Sequence, residues 1–231
     1  MSVTEKPRQL ALDLPVDAGL DVEDFLVSAS NEAAFDVLER WPDWPDSVLL
    51  LIGPPGSGKS HCAAIWAKRS HAWTVARAAL RLPDVPHLAS AGALVIEDCD
   101  AMQGQEDALF HLLNIARERK SSLLLTARTP PSDWGLATAD LLSRLRLAPT
   151  ATLGEPDDAL VRAVLVKMFI ERQLVVDTSV VEYLALRIDR SIAAAQAVVE
   201  TLDREGLARG RRITRPLAAE ILKIRDGDEP G

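Results

Sequence analysis

Residues 47–60 read SVLLLIGPPGSGKS, an apolar run that breaks directly into a glycine-rich turn ending in Lys59-Ser60. Five apolar residues from Val48 to Ile52 predict a buried parallel strand, and the stretch from Lys59 to about Ala67 predicts a helix behind it. Strand, glycine loop and helix N-terminus together make a cradle for phosphate. Glycines let the loop bring backbone N–H groups around a β-phosphate, Lys59 reaches the β and γ oxygens, and the Ser60 hydroxyl can ligate Mg²⁺. Pro55, Gly56, Ser57, Gly58, Lys59 and Ser60 are therefore the candidate phosphate-binding set, with ADP or ATP as the ligand and Mg²⁺ as its companion.

The rest of the composition limits the partners. Net charge is −8, so no global basic field draws the chain to DNA or to an anionic membrane. The apolar stretches are only a few residues long and the first ten residues, MSVTEKPRQL, lack an apolar signal core, which predicts a cytoplasmic protein without a membrane span. Cys62 and Cys99 fit reduced, buried thiols.

Strand and helix patterns alternate up to about residue 153. Short apolar runs near 73–76, 93–96, 122–126 and 147–153 join the first strand, and residues 106–120 carry Leu109, Leu112, Leu113 and Ala116 at helical spacing. Five strands alternating with helices predict a parallel sheet covered on both faces, with a proline-bearing loop around Pro83 and Pro86. Beyond Gly154 the period is helical throughout. Asp157-Asp158 and Asp177 open two helices, a third runs over about 191–208, and Thr214 with Pro216 begins a last one. The predicted organisation is a tail over 1–20, a nucleotide-binding domain over 21–154, a four-helix appendage over 155–224 and an unstructured tail over 225–231.

A phosphate loop needs a carboxylate at the tip of a neighbouring strand. Glu97 and Asp98 close the run ALVIED, where one can hold Mg²⁺ and the other orient an attacking water. Adjacent residues on a strand face opposite ways, so the division of roles is open. Thr126 ends the strand SLLLT and is a candidate to hydrogen-bond a phosphate or that water. Arg144 stands between the sheet and the helical appendage, where a planar cation could serve a neighbour's phosphates.

These ordered stretches resemble the DnaA/Hda branch of the AAA+ family. The matching segments are DFLVSASN (24–31), the phosphate loop extended to His61, the Glu97-Asp98 strand, LLLT followed by Pro130-Pro131, LSRL around Arg144, and RITRP through EILK at 212–223. The resemblance implies an AAA+ P-loop α/β domain with a five-stranded parallel sheet, followed by a small all-α lid. It implies that Lys59 and Ser60 form Walker A, that Glu97 and Asp98 occupy Walker B, that Thr126 lies in sensor 1 and that Arg144 is an arginine finger. Asn31 and His61 join the nucleotide-binding set, and the 25–31 segment would lie beside the base. Near the N-terminus, Gln9, Leu10, Leu12, Leu14 and Pro15 of QLALDLP resemble the peptide by which replication proteins bind the polymerase sliding clamp. An extended tail offers Gln9 as a polar anchor and three leucines to apolar pockets, a contact typically of about micromolar strength.

The chain departs from the branch in three places. Glu97 precedes Asp98 where the usual order begins with Asp, Ala193 stands where a sensor 2 arginine is expected, and nothing after Lys223 matches the initiator's double-stranded-DNA-binding domain. The expectation is thus a regulator of replication initiation that binds ADP or ATP and the sliding clamp and promotes hydrolysis of DnaA-bound ATP. A homo-oligomer is a further possible assembly. The alternatives are a helicase-loader-type ATPase on single-stranded DNA and a small-molecule kinase, the latter disfavoured by the helical appendage.

Overall fold

The computed structural model describes residues 25–227, in two compact units that divide between Pro156 and Asp157. The candidate clamp-binding residues 9–15 lie outside the described residues, as do 228–231.

The first unit runs α1 (Glu32–Glu39), β1 (Val48–Ile52), α2 (Lys59–Ser70), β2 (Trp73–Ala76), α3 (Val85–Leu88), β3 (Ala93–Glu97), α4 (Glu106–Arg119), β4 (Ser122–Ala127), α5 (Ala139–Arg146) and β5 (Thr150–Thr152). All strands pair in parallel in the order β2-β3-β4-β1-β5. Every residue of β1 is buried, as a strand covered on both faces requires. Alternation along the strands sorts the core into two layers. Leu49, Leu51, Val95 and Leu124 meet α2 through Cys62, Ala63 and Trp66, and α1 through Ala34 and Leu38. Val48, Leu50, Leu94, Ile96, Leu123 and Leu125 meet α4 through Leu109, Leu112 and Leu113, and α5 through Leu141 and Leu145. Because β1 lies between β4 and β5, the loop after it opens at the carboxyl ends of the strands, beside the tips of β3 and β4.

Two sequence expectations change. The fifth strand is three residues long, not the seven of 147–153: Leu147 caps α5 and is 76% exposed, and pairing with β1 starts only after the Pro149 carbonyl accepts from the Leu50 N–H. The proline-bearing loop is built of two 3₁₀ turns, Arg77–Ala79 and Leu82–Asp84, and the short helix α3, with Pro83 and Pro86 at first-turn positions that lose no hydrogen bond.

The second unit contains α6 (Asp158–Glu171), α7 (Thr178–Ala185), α8 (Ile192–Arg209) and α9 (Arg215–Gly227). Side-chain caps start three of them: Asp157 accepts from Leu160 N–H, Asp177 from Ser179 N–H and Ser191 from Ala194 N–H. A cap of the kind that Asp157 and Ser191 make stabilises its helix by about 1 kcal/mol. Gly210, at φ 58°, ends α8 in the left-handed conformation that glycine adopts without steric cost. Leu165, Phe169, Val180, Leu184, Val198 and Leu202 fill the centre of this unit. The final helix continues to Gly227, into the segment read as a tail. No helix among the described residues is long and apolar enough to cross a membrane.

Candidate functional site

The phosphate loop takes its shape from its glycines. Gly56 and Gly58 sit at φ 72° and 95°, and Gly58 delivers the chain into α2 in the left-handed conformation. At Gly53 the constraint is space: a Cβ would stand 2.8 Å from the Leu153 carbonyl oxygen and 2.8 Å from Ser57 Oγ. Gly53→Ala therefore pushes β5 and the loop apart, with an expected stability loss of about 1–3 kcal/mol, read from urea denaturation midpoints.

Lys59 folds over this loop. Its Nζ donates to the Gly53 carbonyl at 2.7 Å and the Pro54 carbonyl at 2.9 Å. An ammonium has three donors, so one remains to face a phosphate. The Ser57 hydroxyl is buried without a hydrogen-bond partner among the described residues, while Pro55 and Ser60 are exposed. An orphaned polar atom and a spare cationic donor, at a loop whose Pro55 and Ser60 are exposed, fit a diphosphate. Ser60, in the first turn of α2, offers its hydroxyl beside this loop.

The two acids separate at the end of β3. Glu97 is the last strand residue and, by alternation with Val95, belongs to the face covered by α2. Asp98 leaves the strand at φ 59°, an uncommon conformation for a residue with a side chain. Its N–H donates to Thr126 Oγ1 at 3.2 Å. Thr126 is 2% exposed, so its hydroxyl braces the acidic turn from the neighbouring strand and keeps its own proton to donate. Mg²⁺ usually retains several waters and is bound by few protein groups plus phosphates, so Ser60 with Glu97 or Asp98 would suffice. Among the described residues no group of three or more His, Cys, Asp or Glu side chains could hold a metal ion by itself.

Two further charges belong to this neighbourhood. Burial is the main influence on Lys59 and lowers its pKa below the ordinary lysine value. The charge of Arg128 lowers it further, and Asp100 followed by Asp98 oppose the shift. Asp100 lies on the 3₁₀ turn Cys99–Ala101 that follows Asp98, and its Oδ1 accepts from the Arg128 N–H at 3.2 Å. Sequence reasoning missed both residues. The signal was a third acid in EDCD and an arginine directly after the buried run SLLLTA.

The 25–31 segment is secured to the same end of the sheet. Ser30 accepts from the Gly154 N–H just after β5, and Phe25 meets the His61 ring edge-on at 5.7 Å between centroids. Asn31, expected in the nucleotide-binding set, is engaged within its own segment. It is 3% exposed, its Oδ1 accepts from the Ser28 N–H and its Nδ2 donates to the Leu26 carbonyl, so the carboxamide closes its own turn. Its part is to shape the segment. Both cysteines are buried, and burial pushes the Cys62 thiol up to about 12 and raises Cys99 as well.

Arg144 lies elsewhere. It sits on α5, on the face of the sheet opposite α2, where Nη1 donates to Asn114 Oδ1 at 2.6 Å and the guanidinium covers the Phe110 ring at 4.9 Å. Asp140 adds an ion pair at 3.5 Å. Ala193 is exposed in the first turn of α8 and carries no charge.

The helical unit matches the family model described as Hda, lid domain, over residues 158–222. Over 239 aligned residues the chain is 26% identical to the chromosomal replication initiator protein DnaA of Wolbachia pipientis wMel, covering 91% of this chain and 52% of that protein. The chain thus spans about half the length of the curated relatives it matches. Among solved structures it is similar to domain III of the Thermotoga maritima replication initiation protein DnaA, with a TM-score of 0.78 at 18% identity over 94% of this chain and 100% of that one. It is also similar to AMPPCP-bound DnaA from Aquifex aeolicus, with a TM-score of 0.70 at 17% identity over 88% and 69% of the two chains. At these identities the structural likeness establishes the fold.

Proposed function

Because the chain is an AAA+ protein of the DnaA/Hda branch, we propose that it is a regulator of chromosome replication that promotes hydrolysis of DnaA-bound ATP. In this reading the loop around Lys59 holds ADP or ATP with Mg²⁺, supported by the donor-rich cradle described above. The nucleotide would supply the charge that orders the site. Lys59 and the loop amides bind and orient its phosphates, Ser60 and an acid of the Glu97-Asp98 pair hold the metal, and Thr126 keeps the acidic turn in place.

The observation that carries the regulatory reading is the position of Arg144. It stands on α5, on the face of the sheet opposite α2, and its guanidinium is held in a fixed orientation by Asn114 and Phe110. Such a cation is of use to a neighbour's nucleotide, where a planar guanidinium stabilises charge developing on a transferring phosphoryl group. DnaA is the neighbour we propose. The clamp would be bound through Gln9, Leu10, Leu12, Leu14 and Pro15, which lie outside the described residues.

A pull-down with purified sliding clamp tests the docking step. Wild type is expected to be retained, and a Gln9→Ala/Leu12→Ala chain to lose at least about 10-fold in affinity, since two anchors are removed from a micromolar contact. Equal retention of both contradicts clamp docking through this peptide. Intrinsic hydrolysis stimulated by single-stranded DNA would favour the loader reading instead.

A further inference from the structure

Arg128 is a cation that the site as assigned does not use. Arg128 directly follows β4 and is tied on two sides: its own N–H donates to Asp100 Oδ1 at 3.2 Å, and the preceding Ala127 carbonyl accepts from the Gly53 N–H of the phosphate loop at 3.2 Å. The backbone at this point is therefore shared between the acidic turn and the loop. The Arg128 side chain is exposed and, among the described residues, enters no ion pair or side-chain hydrogen bond. With Gly53, Pro54 and Arg146 it lines an open cavity of about 480 Å³, within the size range of small-ligand sites. Its charge acts on Lys59, so the two cations share one neighbourhood. Lys59 is not part of that lining but binds the carbonyls of Gly53 and Pro54, which are.

We propose that Arg128 is a second phosphate-binding cation of this chain's own nucleotide site, reading the terminal phosphate that distinguishes ATP from ADP, with Asp100 as its positioning residue. The inference rests on the nucleotide-site reading above. Lys59 and the loop amides suit the phosphates common to both nucleotides, whereas a planar fork beyond the loop matches the extra oxygens of a terminal phosphate. Asp100 does not need to touch the nucleotide. By accepting the Arg128 N–H it fixes where the arginine leaves the strand.

Equilibrium titrations of the full-length chain with ADP and with AMPPCP, each in the presence of Mg²⁺, test this. The ratio of AMPPCP to ADP affinity is expected to fall by about 10-fold or more in Arg128→Ala, the scale of a charge-assisted hydrogen bond. Arg128→Lys should recover only part of it, since the ammonium lacks the fork. Asp100→Ala should lower the same ratio and Asp100→Asn, which keeps an acceptor for the N–H, should restore it. A purely structural role for Asp100 would move both affinities together. An unchanged ratio in Arg128→Ala, with wild type binding both ligands, overturns this inference alone. A wild-type chain that binds neither ligand overturns it together with the nucleotide-site reading.

Discussion

Arg144→Ala is expected to reduce the stimulation of DnaA-bound ATP hydrolysis by at least about 10³-fold, the lower end of what a trans-acting arginine contributes. The measurement is single-turnover decay of labelled ATP on DnaA, with clamp and either wild-type or variant chain. The substitution should leave the fold intact, because the contacts removed are an exposed i,i+4 pair with Asp140, one hydrogen bond to Asn114 and a half-exposed stack on Phe110. The ion pair and the stack are each worth about 1 kcal/mol or less, and the hydrogen bond to Asn114 about 1.5–3 kcal/mol. Arg144→Lys sharpens the result: it keeps the charge but not the planar fork, and is expected to remain severely impaired. Stimulation by Arg144→Ala equal to wild type would remove the arginine from the reaction.

Lys59→Ala is expected to weaken ADP and ATP binding by about 100-fold, followed by fluorescence of a labelled nucleotide. Two losses combine. The ammonium's direct hydrogen bond to phosphate is charge-assisted, worth about 1.5–3 kcal/mol. The same group also holds the Gly53 and Pro54 carbonyls at 2.7 and 2.9 Å, so its removal leaves the loop's inner carbonyls without their donor. Lys59→Arg separates the two effects, since the longer, planar head keeps the charge without fitting the same pair of carbonyls. Unchanged affinity in Lys59→Ala would mean that the loop holds no phosphate.

The elements legible in the sequence were those written in local pattern. Val48 to Ile52 is a continuous apolar run because β1 is central and covered on both faces, and the alternation of such runs with helical periods specified the parallel sheet. Asp157, Asp177 and Ser191 marked helix starts because a capping side chain acts on its own next turn. What was not legible depended mostly on partners distant in sequence, and at Asp98 and Asn31 on a local turn. β5 is short because pairing begins after Pro149, which propensity at 147–153 does not reveal. Glu97 and Asp98 could not be told apart until the left-handed turn at Asp98 was seen. Asn31 looked like a ligand contact because it is polar in a matching segment, yet its donors and acceptors close a turn with Leu26 and Ser28. Asp100 and Arg128 meet only because β3 and β4 are neighbours in the sheet. Each has a local signal, a third acid in EDCD and an arginine after SLLLTA, but nothing along the chain links the two.

The central claim is that backbone amides and Lys59, at the head of α2, receive the phosphates of a nucleotide. Equilibrium dialysis of radiolabelled ADP against the purified full-length chain with Mg²⁺ tests it most directly. Saturation at close to one ADP per chain, abolished by excess unlabelled ATP, is the predicted result; no saturable uptake of either nucleotide would contradict it.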